Sequence, residues 1–320
     1  MKKFKKIIRA VLVLAVLAGL IYLIPKVITV VRLKRAADSY VAASSVSTFK
    51  DSKTTIIYDT NDQELCTMKN TKDMYYVSYQ EIPVTLVNSF VVMEDRQFYK
   101  HSGYDIKAIL RAIVINQKSN DIAQGASTIT QQLARNIFLS QEVTWQRKVE
   151  EIFIAVGLEK KYSKNQILEF YLNNIYFGNG YYGVEAAARG YFDKSVSELT
   201  LAEQTFIAAI PNNPTRYNPL TNYDNTVQRK NLILQQLYEA DDIGSLDRYM
   251  AETEEVVLNP HQTEEINNSV VTYARHCATE SLMSVSGFTF RYNFSSEDDY
   301  NAYEATYDTF YNMCQHLHLH

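Results

Sequence analysis

An unbroken apolar run from Ala10 to Ile24, preceded by Lys2, Lys3, Lys5, Lys6 and Arg9, constrains this chain more than any other feature. Pro25 and Lys26 interrupt the run and Val27 to Val31 resume it. About 20 apolar residues cross the hydrocarbon core of a bilayer, so residues 10–31 reach across if the Lys26 ammonium extends to the surface on its methylene stem. A cleavable signal peptide is the competing reading, with the small residues near Ala42 and Ala43 a poor cleavage site. Basic residues ahead of the span favour a cytoplasmic tail over residues 1–9, although Arg32, Lys34 and Arg35 beyond it weaken the asymmetry. The expectation is a single-pass membrane protein whose bulk lies on the extracytoplasmic face.

The rest of the chain is globular in composition, with 46% hydrophobic and 21% charged residues. A formal net charge of −4 argues against a nucleic-acid binder, whose footprint would be basic. Cys66, Cys277 and Cys314 are too widely and irregularly spaced for a disulfide framework or a zinc site. Residues 32–53, rich in Ala and Ser towards their end, read as a linker. Ile56-Ile57-Tyr58, a polar turn at Asp59 to Asp62 and Tyr75-Tyr76-Val77 then suggest a small β-hairpin. From Pro83 to about Tyr238 helical patterns alternate with short Gly, Asn and Pro breaks, which predicts a mostly α domain over residues 54–238. Residues 239–320 are acidic, aromatic and weakly periodic. The alternating histidines at the chain end fit a ragged terminus better than a metal site.

Pro83 suits a helix start, and Val87, Phe90, Val91, Glu94 and Phe98 follow at the spacing of one helical stripe. The stripe ends at His101-Ser102-Gly103, where glycine suits a helix C-terminus. A carboxylate on such a face is costly to ionise and is drawn towards proton transfer; the plainer alternative is a carboxylate paired with Arg96 or Lys100 at a helix end. Gly125-Ala126-Ser127-Thr128-Ile129-Thr130-Gln131-Gln132-Leu133 leads small and hydroxyl residues into a helix start, a setting for an N-cap or for an anion. Arg135 follows two turns later. Arg147 and Lys148 share a helical face with Glu151, as a surface ion pair or as a pyrophosphate clamp oriented by the acid.

Taken together, these segments resemble the glycosyltransferase family 51 domain of class A penicillin-binding proteins and monofunctional cell-wall polymerases. The resemblance spans about Pro83 to Pro219. It is carried by Glu94-Asp95-Arg96-Gln97-Phe98-Tyr99-Lys100-His101-Ser102-Gly103-Tyr104-Asp105, by Gly125 to Leu133, by Arg147-Lys148-Val149-Glu150-Glu151, by Ser163-Lys164 with Ile167 to Gly178, and by Leu201-Ala202-Glu203 to Pro211 with Tyr217-Asn218-Pro219. Any one segment could be chance; all of them in the family's order are specific. The resemblance implies a lysozyme-like fold with a large head and a membrane-facing jaw. It implies lipid II and the growing glycan chain as substrates, joined by an inverting transfer. It implies Glu94 as catalytic base and Glu151 as the second acid. Asp95, Phe98, His101, Ser127, Thr128, Gln131, Gln132, Arg135, Arg147 and Lys148 match positions that serve the substrate. It places the amphipathic stripe Ile106, Ile109, Leu110, Ile113 and Val114 in the jaw, where packing in the core is an equal alternative. The polar stretch from Lys118 to Gln124 would suit a lid. No cofactor is certain from the resemblance; a divalent cation (magnesium or manganese) could assist the pyrophosphate, although no metal-ligand cluster predicts one.

One position departs from the family pattern: where many members carry an arginine towards the pyrophosphate, this chain has Val143. Ser47-Thr48-Phe49-Lys50 has the spacing of a penicillin-binding nucleophile, yet no Lys-Thr-Gly accompanies it, and we read it as coincidence. Residues 239–320 look like the connector that precedes a transpeptidase, so the chain reads either as a fragment of a bifunctional protein or as a monofunctional enzyme with a docking tail for cell-wall synthesis proteins. A non-catalytic membrane scaffold and a glycan-cleaving enzyme are the rival functions.

Overall fold

A computed structural model describes residues 2–50, 55–58, 64–68, 73–109, 127–140 and 142–260, with side chains described over 22–50, 74–109, 127–140 and 142–260. The architecture is mostly helical. Helix α1 (Lys2–Ala43) is continuous through Pro25. Strands β1 (Thr55–Tyr58) and β2 (Glu64–Met68) pair antiparallel, and β3 (Asp73–Met74) pairs in parallel with β4 (Tyr181–Tyr182). The remaining helices are α2 (Val84–Glu94), α3 (Ile129–Phe138), α4 (Trp145–Lys161), α5 (Lys164–Asn174), α6 (Val184–Phe192), α7 (Leu201–Ala208), α8 (Tyr223–Glu239) and α9 (Ser245–Thr253). Among the described residues no helix is long and apolar enough to cross a membrane. The expected span falls largely on residues 1–21, whose side chains lie outside the described residues, as do the greater part of the jaw stripe, the lid stretch and residues 261–320.

Side-chain caps start the helices around the cleft. Thr128, Thr144 and Ser163 each accept the amide three residues on, in α3, α4 and α5, satisfying donors that an open helix end leaves unmet. Helix α3 packs on α4 and α5, while α2 packs on α7 and α8. One apolar core joins them through Leu86, Phe90, Leu133, Leu158, Leu168, Phe206 and Ile233, all at most 1% exposed.

Four sequence readings change in the structure. The stripe beginning at Val87 does not continue as helix to Phe98. Helix α2 stops at Glu94, because the carboxylate of Asp95 accepts from the Ile129 amide at 3.0 Å and from His101 Nε2 at 2.8 Å, holding the chain in a turn. Phe98 still reaches the core, fully buried, but through that turn. The partner of β1 is Glu64–Met68, not Tyr75–Val77, so the hairpin closes earlier. The Ala- and Ser-rich stretch continues α1 to Ala43 instead of forming a linker, and Phe49 stacks on Phe170 with centroids 4.0 Å apart, a burial that stabilises by roughly 2–3 kcal/mol. Residues 239–260, expected to begin a connector, close the domain: Ala251 and Val256 are buried, and the Asn259 amide donates to Tyr191 O at 2.9 Å.

The turn before α2 carries a pH-dependent contact. The Glu81 carboxylate accepts from Ser78 Oγ at 2.6 Å and from the Ser78 amide at 2.8 Å, and the hydroxyl first, then the amide, holds its pKa below the usual carboxylate range. A depressed folded pKa stabilises above the unfolded value and is lost as pH falls through the folded value. Ser78→Ala is therefore expected to narrow the difference in melting temperature between neutral and strongly acidic pH, as read by thermal denaturation at both.

Candidate active site

Helix α2 delivers Glu94 at its last residue, so the side chain leaves the core and enters an open cleft of about 790 Å³. Asp95, Ser127, Thr128, Gln132 and Arg135 line the same cleft, with Arg229, Leu232 and Gln236 of α8 opposite. A second cavity of about 670 Å³ adjoins it, shares Gln132, Arg135 and Pro211, and runs on to Tyr176 and Tyr182. The apolar wall expected around Glu94 is instead a polar rim: its side chain is 19% exposed and faces an amide and cations.

A chain of hydrogen bonds orients the carboxylate. The Tyr171 hydroxyl, fully buried, donates to Gln132 Oε1 at 3.2 Å, which turns Gln132 Nε2 towards Glu94 Oε2 at 2.9 Å. Burial first, then the Glu94 charge, pushes the phenol pKa well above its ordinary value, so it remains a donor. Among the described residues Glu94 Oε1 accepts no hydrogen bond; its nearest cationic atom is Arg229 Nη2 at 3.9 Å. Arg135 Nε and Arg229 Nε are buried donors without a hydrogen-bond partner among the described residues, and both side chains line the cleft that holds Glu94 and Asp95.

Glu151 sits behind this rim, fully buried on α4. Lys148 joins it to the cleft wall: the ammonium donates to Ser127 Oγ at 2.7 Å, to Gln131 Oε1 at 3.0 Å and to Glu151 Oε1. Glu151 Oε2 has no partner among the described residues. Removing the ammonium strands a buried carboxylate, which costs 3–5 kcal/mol for a deeply buried pair. Lys148 is 39% exposed, so solvent screens part of this. Lys148→Met is expected to lose about 2 kcal/mol, and adding Glu151→Gln should recover part of the loss, as measured by urea unfolding of both variants.

His101, Gln131 and Phe98 lie outside the cleft lining and, with Thr128, support it. His101 Nδ1 accepts from the Gly103 amide at 3.1 Å, so Nε2 carries the proton donated to Asp95. Thr128 Oγ1 and Gln131 Nε2 both donate to Gly103 O, at 2.9 and 3.2 Å. Phe98 lies under the Lys164 ammonium, 4.2 Å from its ring centroid. These contacts lock the turn after Glu94 onto α3 and α4, which positions the base. Arg147 stands outside the cleft lining. Tyr171 and Arg229 were not among the nominated residues. Arg229, Leu232 and Gln236 recur at the spacing of one helical face, the signal that could have found Arg229. Among the described residues no group of three His, Cys, Asp or Glu side chains could hold a metal ion, and no step below uses one.

Comparison with known proteins places this geometry in context. The family model described as transglycosylase matches residues 61–238. The chain is 43% identical over 212 residues to penicillin-binding protein 4 of Bacillus subtilis, covering 66% of this chain and 34% of that protein. It is 43% identical over 198 residues to penicillin-binding protein 1A of Aquifex aeolicus, covering 62% and 25%. With penicillin-binding protein 1A of Escherichia coli the identity is 42% over 222 residues, covering 68% and 26%. The match thus spans about a third or less of the length of these relatives.

Proposed function

The chain belongs to the transglycosylase family, and from that premise we propose that it is a peptidoglycan glycosyltransferase. It polymerises lipid II into β-1,4 glycan strands with inversion and releases undecaprenyl pyrophosphate. One observation carries the reading: Glu94 has one carboxylate oxygen fixed by Gln132 and the other open to the cleft. That is the disposition of a general base, which needs a fixed approach and a vacant acceptor.

In this reading the acceptor sugar hydroxyl gives its proton to Glu94 Oε1 as its oxygen attacks the anomeric carbon of the growing chain. The bond from that carbon to the pyrophosphate oxygen breaks, and its electron pair leaves with the pyrophosphate. Attack opposite the α-linked leaving group produces the β-linkage, by the geometry of inverting glycosidases. Pyrophosphate needs charge stabilisation more than protonation; Arg135, Arg229 and Lys148 supply it, with Glu151 holding Lys148 in place. A lysozyme-like head and jaw, an anchor over residues 10–31, location on the extracytoplasmic face and partners among cell-wall synthesis proteins belong to the same proposal. The test is incubation of the detergent-solubilised chain with purified lipid II. Long glycan is the expected product. Lack of consumption where a known polymerase is active would overturn the reading in favour of a scaffold, and release of fragments from finished peptidoglycan would favour a cleaving enzyme.

A further inference from the structure

Three observations converge on the N-terminal end of α4. The first is the alignment of α1 and α4, which run side by side in the same direction. A Cβ added to Gly157 would come 2.7 Å from Val41 Cγ2. Lys161 Nζ donates to Val41 O at 2.7 Å, to Ala42 O at 3.3 Å and to Ser44 O. Trp145 precedes Gly157 by the same number of residues as Thr29 precedes Val41. At about 1.5 Å per residue, both lie roughly 18 Å back along their helices from that contact.

The second is burial along α1, which changes at the same level. Thr29, Val30, Leu33 and Ala36 are partly covered and Ala37 is buried, whereas every residue from Tyr22 to Ile28 is exposed. The helix leaves the domain there with Val27 and Ile28 uncovered, continuing into the apolar run. The third is the surface at the start of α4, which that count along the helices brings to the level of the exit. Val143 is 90% exposed, the most exposed large apolar side chain among the described residues, and Trp145 is 51% exposed. Arg32 and Arg35 are exposed just above the exit on α1, where the neighbouring Lys34 and Asp38 pair with each other at 2.6 Å.

We propose that Val143 and Trp145 seat in the interfacial layer of an anionic bilayer, a membrane contact separate from α1 and from the Ile106–Val114 stripe. An indole is amphipathic and settles where acyl chains meet headgroups, and the arginines suit anionic headgroups. The seat rests on the membrane anchor proposed above. Two attachments, α1 and this segment, fix the tilt of α4 and with it the height of Lys148 and Glu151 over the membrane. It also accounts for an apolar residue at 143, where a cation would be withdrawn from the acyl layer.

Trp145 is the chain's single tryptophan, so its emission reports the seat alone. The full chain is reconstituted into vesicles of zwitterionic and anionic lipid, collected by flotation, and quenched with lipids brominated near the headgroup or near the chain terminus. Trp145 is expected to emit to the blue of a water-exposed indole and to lose most of its intensity to headgroup-proximal bromine. Val143→Asp, at a side chain 90% exposed, should shift the emission back to the red and remove most of the quenching. Chain that floats with the vesicles while Trp145 remains unquenched by either lipid overturns the seat and leaves the anchor intact. Chain that fails to float overturns the anchor and the seat together.

Discussion

Glu94→Gln is expected to abolish glycan polymerisation, lowering turnover by roughly 10²–10⁴-fold, the contribution of a positioned general base. The amide is nearly isosteric and can still accept from Gln132 Nε2, so the cleft keeps its shape. The open position at Oε1, 3.9 Å from Arg229 in the parent, then carries a group that cannot take a proton. Lipid II binding should persist, because the substitution removes an interaction made in the transition state and leaves the ground-state contacts of Arg135, Ser127 and Gln132 in place. Single-turnover kinetics on lipid II, beside a direct binding measurement, separate the two. Parent-like turnover in the variant would mean that another group deprotonates the acceptor. Loss of binding together with turnover would mean that Glu94 holds the substrate and does not activate it.

Gly103→Ala is expected to destabilise the domain by about 3 kcal/mol or more, from backbone strain and overpacking together. Gly103 has φ +99°, and an added Cβ would stand 2.7 Å from Val156 N and 2.8 Å from Ala155 C. Those atoms are the backbone of α4 and cannot rotate aside. A shift of this turn also carries away the carbonyl that Thr128 and Gln131 both grip, so the start of α3 loosens with it. For a domain of this size the loss corresponds to a fall in melting temperature on the order of 10 °C. A variant melting with the parent would show that the turn and α4 are not in close contact. The effect on activity should exceed the effect on stability, because the same turn fixes the direction of Glu94.

Much of the helical framework was legible in the chain. The hydroxyl residues Ser127 and Thr128 were read as a helix start, and α3 begins there with Thr128 as its cap; the helical pattern read from Trp145 to Lys161 is α4. The match of residues 61–238 to the transglycosylase family agrees with the resemblance read from about Pro83 to Pro219. The point at which α2 ends was not legible. Periodicity carried the helix through Phe98, since hydrophobic spacing senses only which side chains are buried. The stop depends on Asp95 accepting from Ile129, a residue more than thirty positions away. The Ala- and Ser-rich stretch read as a linker for the same reason: its packing surface belongs to α4 and α5.

The cleft divides in the same way. Sequence spacing alone placed Glu94 within an apolar stripe and Lys148 one turn from Glu151, because helical geometry sets which neighbours share a face. Whether a nominated side chain reaches the cleft or supports it from below was decided by tertiary structure. Phe98 and His101 lie within a few residues of Glu94 yet are turned into the protein, while Tyr171 and Arg229 come to it from α5 and α8. The chain by itself determined most of its helices and which charged residues share a helical face, because both rest on local spacing. Only the packed fold determined which oxygen of Glu94 is held and which is open, since that depends on donors from three helices distant in sequence.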